Sequence, residues 1–246
     1  MPPPLANRIA LVTGASRGIG HATALALARA GAHVIAVART VGGLEELDDA
    51  IRAAGGTATL VPLDLKDYAG IDRLGHALHE RFGRLDVLVG NAGMLGPLSP
   101  LGHVEAKIWD EVMAVNVTAN WRLICAMDQL LRFSDAGRVI FVTSGVAAQA
   151  PAYWGPYTIT KAALEALART YAAESATTQV RVNLFQPGPI RTRMRAQAMP
   201  GEDPMTIEPP DKVAQYIIEL CLPTVRENGK LYSYPQRRYL DFPPPA

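Results

Sequence analysis

Short β-branched runs recur along this chain, separated by longer Ala- and Leu-rich amphipathic stretches. That alternation restricts the fold more than any other feature. The runs fall at residues 9–13, 33–37, 57–62, 85–90, 138–143, 180–185 and 230–233. Between them, helices are expected over about 18–30, 44–54, 67–82, 105–130, 156–174 and 211–222. Runs with little polar alternation are strands buried on both faces, which requires helices above and below them. Repeated βα units at this spacing give a parallel, doubly wound α/β sheet, and right-handed crossovers put ligands at the carboxyl ends of its strands. A chain of 246 residues, 49% of them apolar, suits one such domain. No repeat or second domain is visible. The Pro-rich ends, residues 1–6 and 242–246, read as disordered tails.

Charge and composition remove several function classes. The formal net charge is +1 with no long block of one sign, which gives nucleic-acid binding no support. Cys125 and Cys221 match no metal or redox spacing and read as buried small hydrophobes. The histidines at 21, 33, 76, 79 and 103 form no metal motif, so no metal is expected. The N-terminus lacks the long apolar stretch of a signal peptide, and no apolar run approaches a membrane span. A soluble, cytoplasmic protein is expected.

The turn after the first strand, TGASRGIG at 13–20, opens the first helix. A helix N-terminus offers unpaired N–H groups and a partial positive charge, and so attracts phosphate. Gly14, Gly18 and Gly20 permit a tight turn, close backbone approach and close helix packing. The spacing is G-x-x-x-G-x-G rather than G-x-G-x-x-G, and an ordinary βα turn is the competing reading. T-G-x-x-x-G-x-G in this position resembles the short-chain dehydrogenase/reductase family, whose members bind NAD or NADP through it. The resemblance implies a single Rossmann-type domain of about seven parallel strands in order 3-2-1-4-5-6-7, with helices on both faces. It also implies cofactor contacts from Gly14, Ser16, Arg17, Gly18, Ile19 and Gly20.

The choice of nicotinamide cofactor is written after strand two. An NAD site usually carries an acidic side chain there for the ribose 2′-hydroxyl. This chain has Ala38 at that position, then Arg39, with Arg17 inside the glycine turn. Two guanidinium groups suit a 2′-phosphate, so NADPH is expected over NADH, although Arg39 also reads as a solvated strand-end residue. Asp64 and Leu65, in PLDLKD, match the family's adenine-side segment; Asp64 also reads as a turn residue of the N-cap kind. GNAG at 90–93 ends strand four, where the family usually writes N-N-A-G; Asn91, Ala92 and Gly93 are expected beside the cofactor. QPGPIRT resembles the family's P-G-x-x-x-T segment, in which Pro187 and Gly188 shape a turn and Ile190 and Thr192 contact the nicotinamide carboxamide.

Four residues carry the expected chemistry. Ser144 ends strand five, and Tyr157 and Lys161 share a helix face at i,i+4 spacing. A free tyrosine titrates near 10, and a nearby ammonium lowers that value toward neutrality. Ketone reduction needs a proton donor near the carbonyl oxygen and support for the developing oxyanion, which Tyr157 and Ser144 can supply. Singly these residues read as a turn serine, a packed tyrosine and a solvated lysine. Together they resemble the family's Ser…Y-x-x-x-K signature, with Lys161 also gripping the nicotinamide ribose. The family's fourth residue matches Asn116, which there orders a water linked to the lysine.

Toward the C-terminus the resemblance weakens, since GKLYSYPQRRYLDF lacks the family's usual acidic residue and two glycines. A homodimer or homotetramer is expected, the dimer through the helices near 105–130 and 156–174. A Met- and Pro-bearing segment from 194 to 210 matches the family's lid. Tyr153, Trp154 and Leu95 are expected to line an apolar or mixed pocket for a small carbonyl or alcohol. Arg191, Arg193 and Arg195 are expected on a solvated face, or else to attract an acidic group. The leading expectation is an NADP(H)-dependent carbonyl reductase. A 3-oxoacyl-(acyl-carrier-protein) reductase and a non-catalytic NADP(H)-binding sensor are the alternatives; SATTQ at 175–179 lacks a basic residue to dock an acidic carrier, and the complete catalytic set disfavours the sensor.

Overall fold

A computed structural model describes residues 2–242. The strands are β1 Ile9–Thr13, β2 His33–Ala38, β3 Thr57–Pro62, β4 Val87–Gly90, β5 Arg138–Val142, β6 Arg181–Gln186, β7 Leu231–Ser233 and β8 Arg238–Leu240. They form one sheet in the order β3-β2-β1-β4-β5-β6-β7-β8. All neighbours through β7 are parallel, while β8 pairs antiparallel with β7. The helices are α1 Gly18–Arg29, α2 Val41–Ala53, α3 Tyr68–Phe82, α4 Ala106–Met113, α5 Ala119–Arg132, α6 Val146–Gln149, α7 Gly155–Glu174, α8 Arg193–Ala198 and α9 Pro210–Leu220.

The alternation of side chains explains the layers. Ala10 and Val12 of β1, Val34 and Ala36 of β2, and Val87 and Val89 of β4 point into a core shared with α1, α2 and α9. Leu11, Ile35 and Leu88, one residue out of phase, point into the opposite core against α3, α5 and α7. Both phases are apolar, so neither face of the central strands can meet water. Helix α1 is rich in alanine (Ala22, Ala24, Ala26 and Ala28 are buried), and small strand residues face it. This lets the helix lie close to β1 and brings its N-terminus down onto the strand end.

Four expectations change. Cys125, expected to be buried, is exposed, whereas Cys221 is buried. The helix expected over 105–130 is interrupted: a π turn at Ala114–Thr118 separates α4 from α5 and carries Asn116. An eighth strand follows β7 through a turn in which Arg237 has φ +54°. Its three residues are too short for periodicity to reveal. The N-terminal segment is anchored at one point: Leu5 is buried and its N–H donates to the Ala30 carbonyl at 2.9 Å, while Pro2, Pro3 and Pro4 are exposed, Pro3 lying beside Gly31. Residues 1 and 243–246 of the expected tails lie outside the described residues.

Candidate active site

Parallel pairing puts the carboxyl ends of β1, β4, β5 and β6 along one sheet edge, and the strand order reverses between β1 and β4. Side chains tie this point together. The Asn91 amide donates to the Thr13 carbonyl at 2.9 Å, and the Thr13 hydroxyl accepts from the N–H groups of Asn91 and Ala92 at 3.0 and 3.1 Å. Thr13 was not among the expected site residues, although a strand-ending threonine before the glycine turn is visible in the sequence. The turn itself needs glycine for two separate reasons. Gly14 and Gly18 have φ of +66° and +59°. A Cβ on Gly20 would lie 2.3 Å from the Gly14 carbonyl oxygen and 2.4 Å from the Asn91 amide nitrogen. The departure at Gly90 has a packing cause: a Cβ there would lie 2.4 Å from the Phe141 ring and 2.6 Å from the Asn120 side-chain oxygen.

Arg39 follows β2, with a guanidinium nitrogen 3.9 Å from an Asp64 carboxylate oxygen; both side chains are largely exposed. Asp64 accepts from the Lys66 N–H at 3.0 Å, making a turn. The N-cap of α3 is Asp67, which accepts from the Gly70 N–H at 2.9 Å. Asp64 is thus a turn residue on the rim rather than the helix cap.

Tyr157 stands in the first turn of α7 and is 9% exposed. Burial pushes its phenol up to about 12, and a hydrogen bond with the Ser144 hydroxyl pulls the other way. This reverses the expectation that Lys161 would lower it. The lysine nitrogen is 5.6 Å from the centre of the tyrosine ring, and burial of the phenol dominates the shift. Lys161 is itself buried and donates to the Val142 carbonyl at 2.7 Å. Burial pulls its ammonium down to about 8, opposed by the Glu165 carboxylate one turn along. Glu165 accepts from the Thr143 hydroxyl at 2.8 Å, and its own burial raises its pKa. Thr143 and Glu165 were not anticipated; the only signals were the adjacency of Thr143 to Ser144 and the i,i+4 spacing of Glu165 from Lys161.

Asn116 is fully buried. Its side-chain oxygen accepts from the Met94 N–H at 2.7 Å, and its amide donates to the Met94 carbonyl and the Thr160 hydroxyl, both at 2.9 Å. Asn120 donates to the Asn116 carbonyl at 2.9 Å. Asn116 therefore clamps the chain after β4 to α7. Gly93 closes the corner: a Cβ there would be 3.5 Å from the Asn116 oxygen and 3.7 Å from the Lys161 nitrogen.

These elements enclose a cavity of about 940 Å³. Of the expected residues, Gly14, Ser16, Arg17, Gly18 and Ile19 line one wall, with Arg39, Asp64 and Leu65 beyond them. Asn91, Ala92, Gly93, Tyr157, Lys161, Pro187 and Thr192 line the rest. Gly20, Asn116, Gly188 and Ile190 lie behind this surface: Gly188 (φ +71°) packs on Pro235, and Ile190 is buried and bridges to Glu208. Ser144 reaches the site through Tyr157. Leu95 lines the cavity as expected, and Trp154 packs against the Tyr157 ring at 6.3 Å. Tyr153 does not line the cavity wall: it is 61% exposed with φ +71°, turned outward where its carbonyl accepts from the Ser99 N–H. The arginine series splits. Arg191 and Arg193 line the cavity, whereas Arg195 pairs with Glu202 through two 2.6 Å bonds away from it.

A family model for short chain dehydrogenases matches residues 8–203. The uncharacterised oxidoreductase YciK of Escherichia coli K12 is 37% identical over 209 residues, 84% of this chain and 82% of that protein. A Pseudomonas aeruginosa 3-oxoacyl-(acyl-carrier-protein) reductase of rhamnolipid biosynthesis is 40% identical over 214 residues, 83% of this chain and 80% of that protein. Among solved structures, a short chain dehydrogenase from Shigella flexneri 2a complexed with NADP superposes with a TM-score of 0.91 at 34% identity, covering 95% of this chain and 99% of that one. No described helix is long and apolar enough to cross a membrane. The strand order, the glycine turn and the matched span agree: the chain belongs to the short-chain dehydrogenase family and is an NAD(P)-dependent oxidoreductase.

Proposed function

We propose that the protein is an NADP(H)-dependent oxidoreductase interconverting a carbonyl compound and its secondary alcohol, with Tyr157 as the general acid and base. The observation that carries this reading is the meeting of Tyr157, Ser144 and Lys161 at one end of a cavity whose other end holds Arg17 and Arg39. The residues present fit the cofactor. Gly14 and Gly18 line a turn held in left-handed backbone, Gly20 behind it has no room for a Cβ, and Arg17 and Arg39 on the same wall offer bidentate partners for a 2′-phosphate. When bound, NADPH supplies the hydride.

The chain's own groups then manage the proton and the charge. A phenol held near 12 is protonated at neutral pH, which suits it to donate to an oxygen that gains negative charge. Ser144 stands beside that phenol to hydrogen-bond the same oxygen. Lys161, anchored on the Val142 carbonyl, keeps positive charge beneath Tyr157 and grips the ribose side of the site. Asn116 acts as a positioning residue, fixing the Met94 backbone and Thr160. In the reverse direction Tyr157 must take up a proton, so alcohol oxidation should accelerate with rising pH while reduction declines. The dimer we propose uses the outer faces of α5 and α7, where Trp121 and Ile159 are exposed.

The test is a panel of aldehydes, ketones and 3-oxoacyl thioesters followed by NADPH oxidation; the Pseudomonas relative's name puts thioesters in the panel. Turnover with NADPH well above NADH is expected. Cofactor binding without reduction of any member would instead support the sensor.

A further inference from the structure

We infer that the substrate is an oxo acid, whose carboxylate is held by Arg193 and Arg191 with Gln197 beside them. The inference deepens the carbonyl-reductase reading and rests on it for the position of the reacting carbon. Met194 and Ala198 of α8 pack with Tyr157 and Leu95, which fixes that helix over the catalytic tyrosine. Arg193 and Gln197, one position before each, share the neighbouring face of the helix and line the cavity. Arg191 enters from the strap before α8. Its N–H is tied to the Glu208 carbonyl at 2.9 Å, and one guanidinium nitrogen rests on the Met205 sulfur at 3.0 Å.

The charges in the cavity do not cancel. Its two carboxylates are already matched, Asp64 with Arg39 at 3.9 Å and Glu111 with Lys66 at 4.0 Å. Among the described residues, no carboxylate lies within ion-pair distance of Arg191 or Arg193, in contrast to Arg195 and Glu202. Arg17 is similarly free, and the proposed cofactor phosphate accounts for it. Lys161 faces the Glu165 carboxylate, so the remaining excess lies at the start of α8 and on the strap before it. Guanidinium groups bind carboxylates through paired N–H donors, and Met94, Leu95 and Met194 line the cavity nearby as apolar wall.

The test uses the intact enzyme with NADPH and six-carbon oxo acids, the oxo group moved along the chain, each beside its methyl ester. At least one acid should exceed its ester roughly ten- to a hundredfold in kcat/KM. Arg193→Gln, and separately Arg191→Gln, should lower kcat/KM for the acid far more than for its ester and so remove that preference, with NADPH affinity retained. Calorimetric titration of the acid and ester into enzyme saturated with NADP+ reads the same preference where no reduction can occur. Equal binding of acid and ester overturns the oxo-acid site and leaves the reductase reading intact. An Arg193→Gln variant that weakens NADPH and affects acid and ester alike assigns that arginine to the cofactor, and also overturns it. Selective acid binding without reduction leaves the anion site standing and overturns the reductase reading.

Discussion

The two halves of the cavity are built by different means. Around β1 and β4 the walls are backbone: Gly14, Gly18, Gly20 and the Thr13–Asn91 strap leave a shape that side chains could only obstruct. Around β5, β6 and α8 the walls are side chains: Tyr157 and Met194 pack together, Lys161 is anchored on the Val142 carbonyl, and Arg193 is without an ion-pair partner among the described residues. The first half suits a part of a ligand that never varies, such as a diphosphate. The second can change chemistry one residue at a time without disturbing the sheet.

Breaking the side-chain half should have the largest effect on rate and the least on cofactor binding. Tyr157→Phe removes the proposed proton donor and should lower kcat roughly 10²–10⁴-fold, with NADPH affinity retained by fluorescence titration. Lys161→Met sharpens the contrast through pH. The folded ammonium titrates near 8 against an ordinary 10.5, so the unfolded chain binds the extra proton between those values and wild-type stability rises with pH across that window. The cost of the buried charge is fully present below pH 8. Urea unfolding should therefore show the wild type gaining up to about 3 kcal/mol on the Met variant between pH 8 and 10.5.

The backbone half should respond oppositely. Arg39→Ala at its rim should weaken NADPH roughly ten- to a hundredfold and NADH little; equal loss of both would remove the 2′-phosphate from the account. Gly20→Ala drives a methyl into the Gly14 carbonyl and should cost about 1–3 kcal/mol of stability, with cofactor binding lost together with thermal midpoint rather than turnover alone.

The same division decides what the sequence discloses. Glycine spacing, the GNAG corner and Y-x-x-x-K are local patterns whose geometry follows from backbone rules, and they fall on the cavity or directly behind it. Most strand ends were legible within a residue or two because both faces of the central strands are apolar. Long-range partners were not legible. Nothing near Tyr157 announces that burial raises its pKa, or that Glu165 and Thr143 meet behind the lysine. Tyr153 and Tyr157 look alike in YWGPYTITK, yet a left-handed backbone turns one outward while the helix turns the other in. Arg191, Arg193 and Arg195 alternate identically in sequence, and only Glu202, seven residues beyond Arg195, separates the third from the others. β8 and the π turn at Asn116 depend on packing that no local period records.

The central claim is that this cavity moves a hydride and a proton onto one carbonyl group, with Tyr157 supplying the proton. It is met most directly with NADPH deuterated at the transferable position of the nicotinamide, supplied to wild type and Tyr157→Phe with a reducible carbonyl compound. Deuterium is expected on the carbinol carbon of the wild-type product, and little or none from a Phe variant that still binds the cofactor. Unlabelled product, or label transferred by the Phe variant at the wild-type rate, would contradict it.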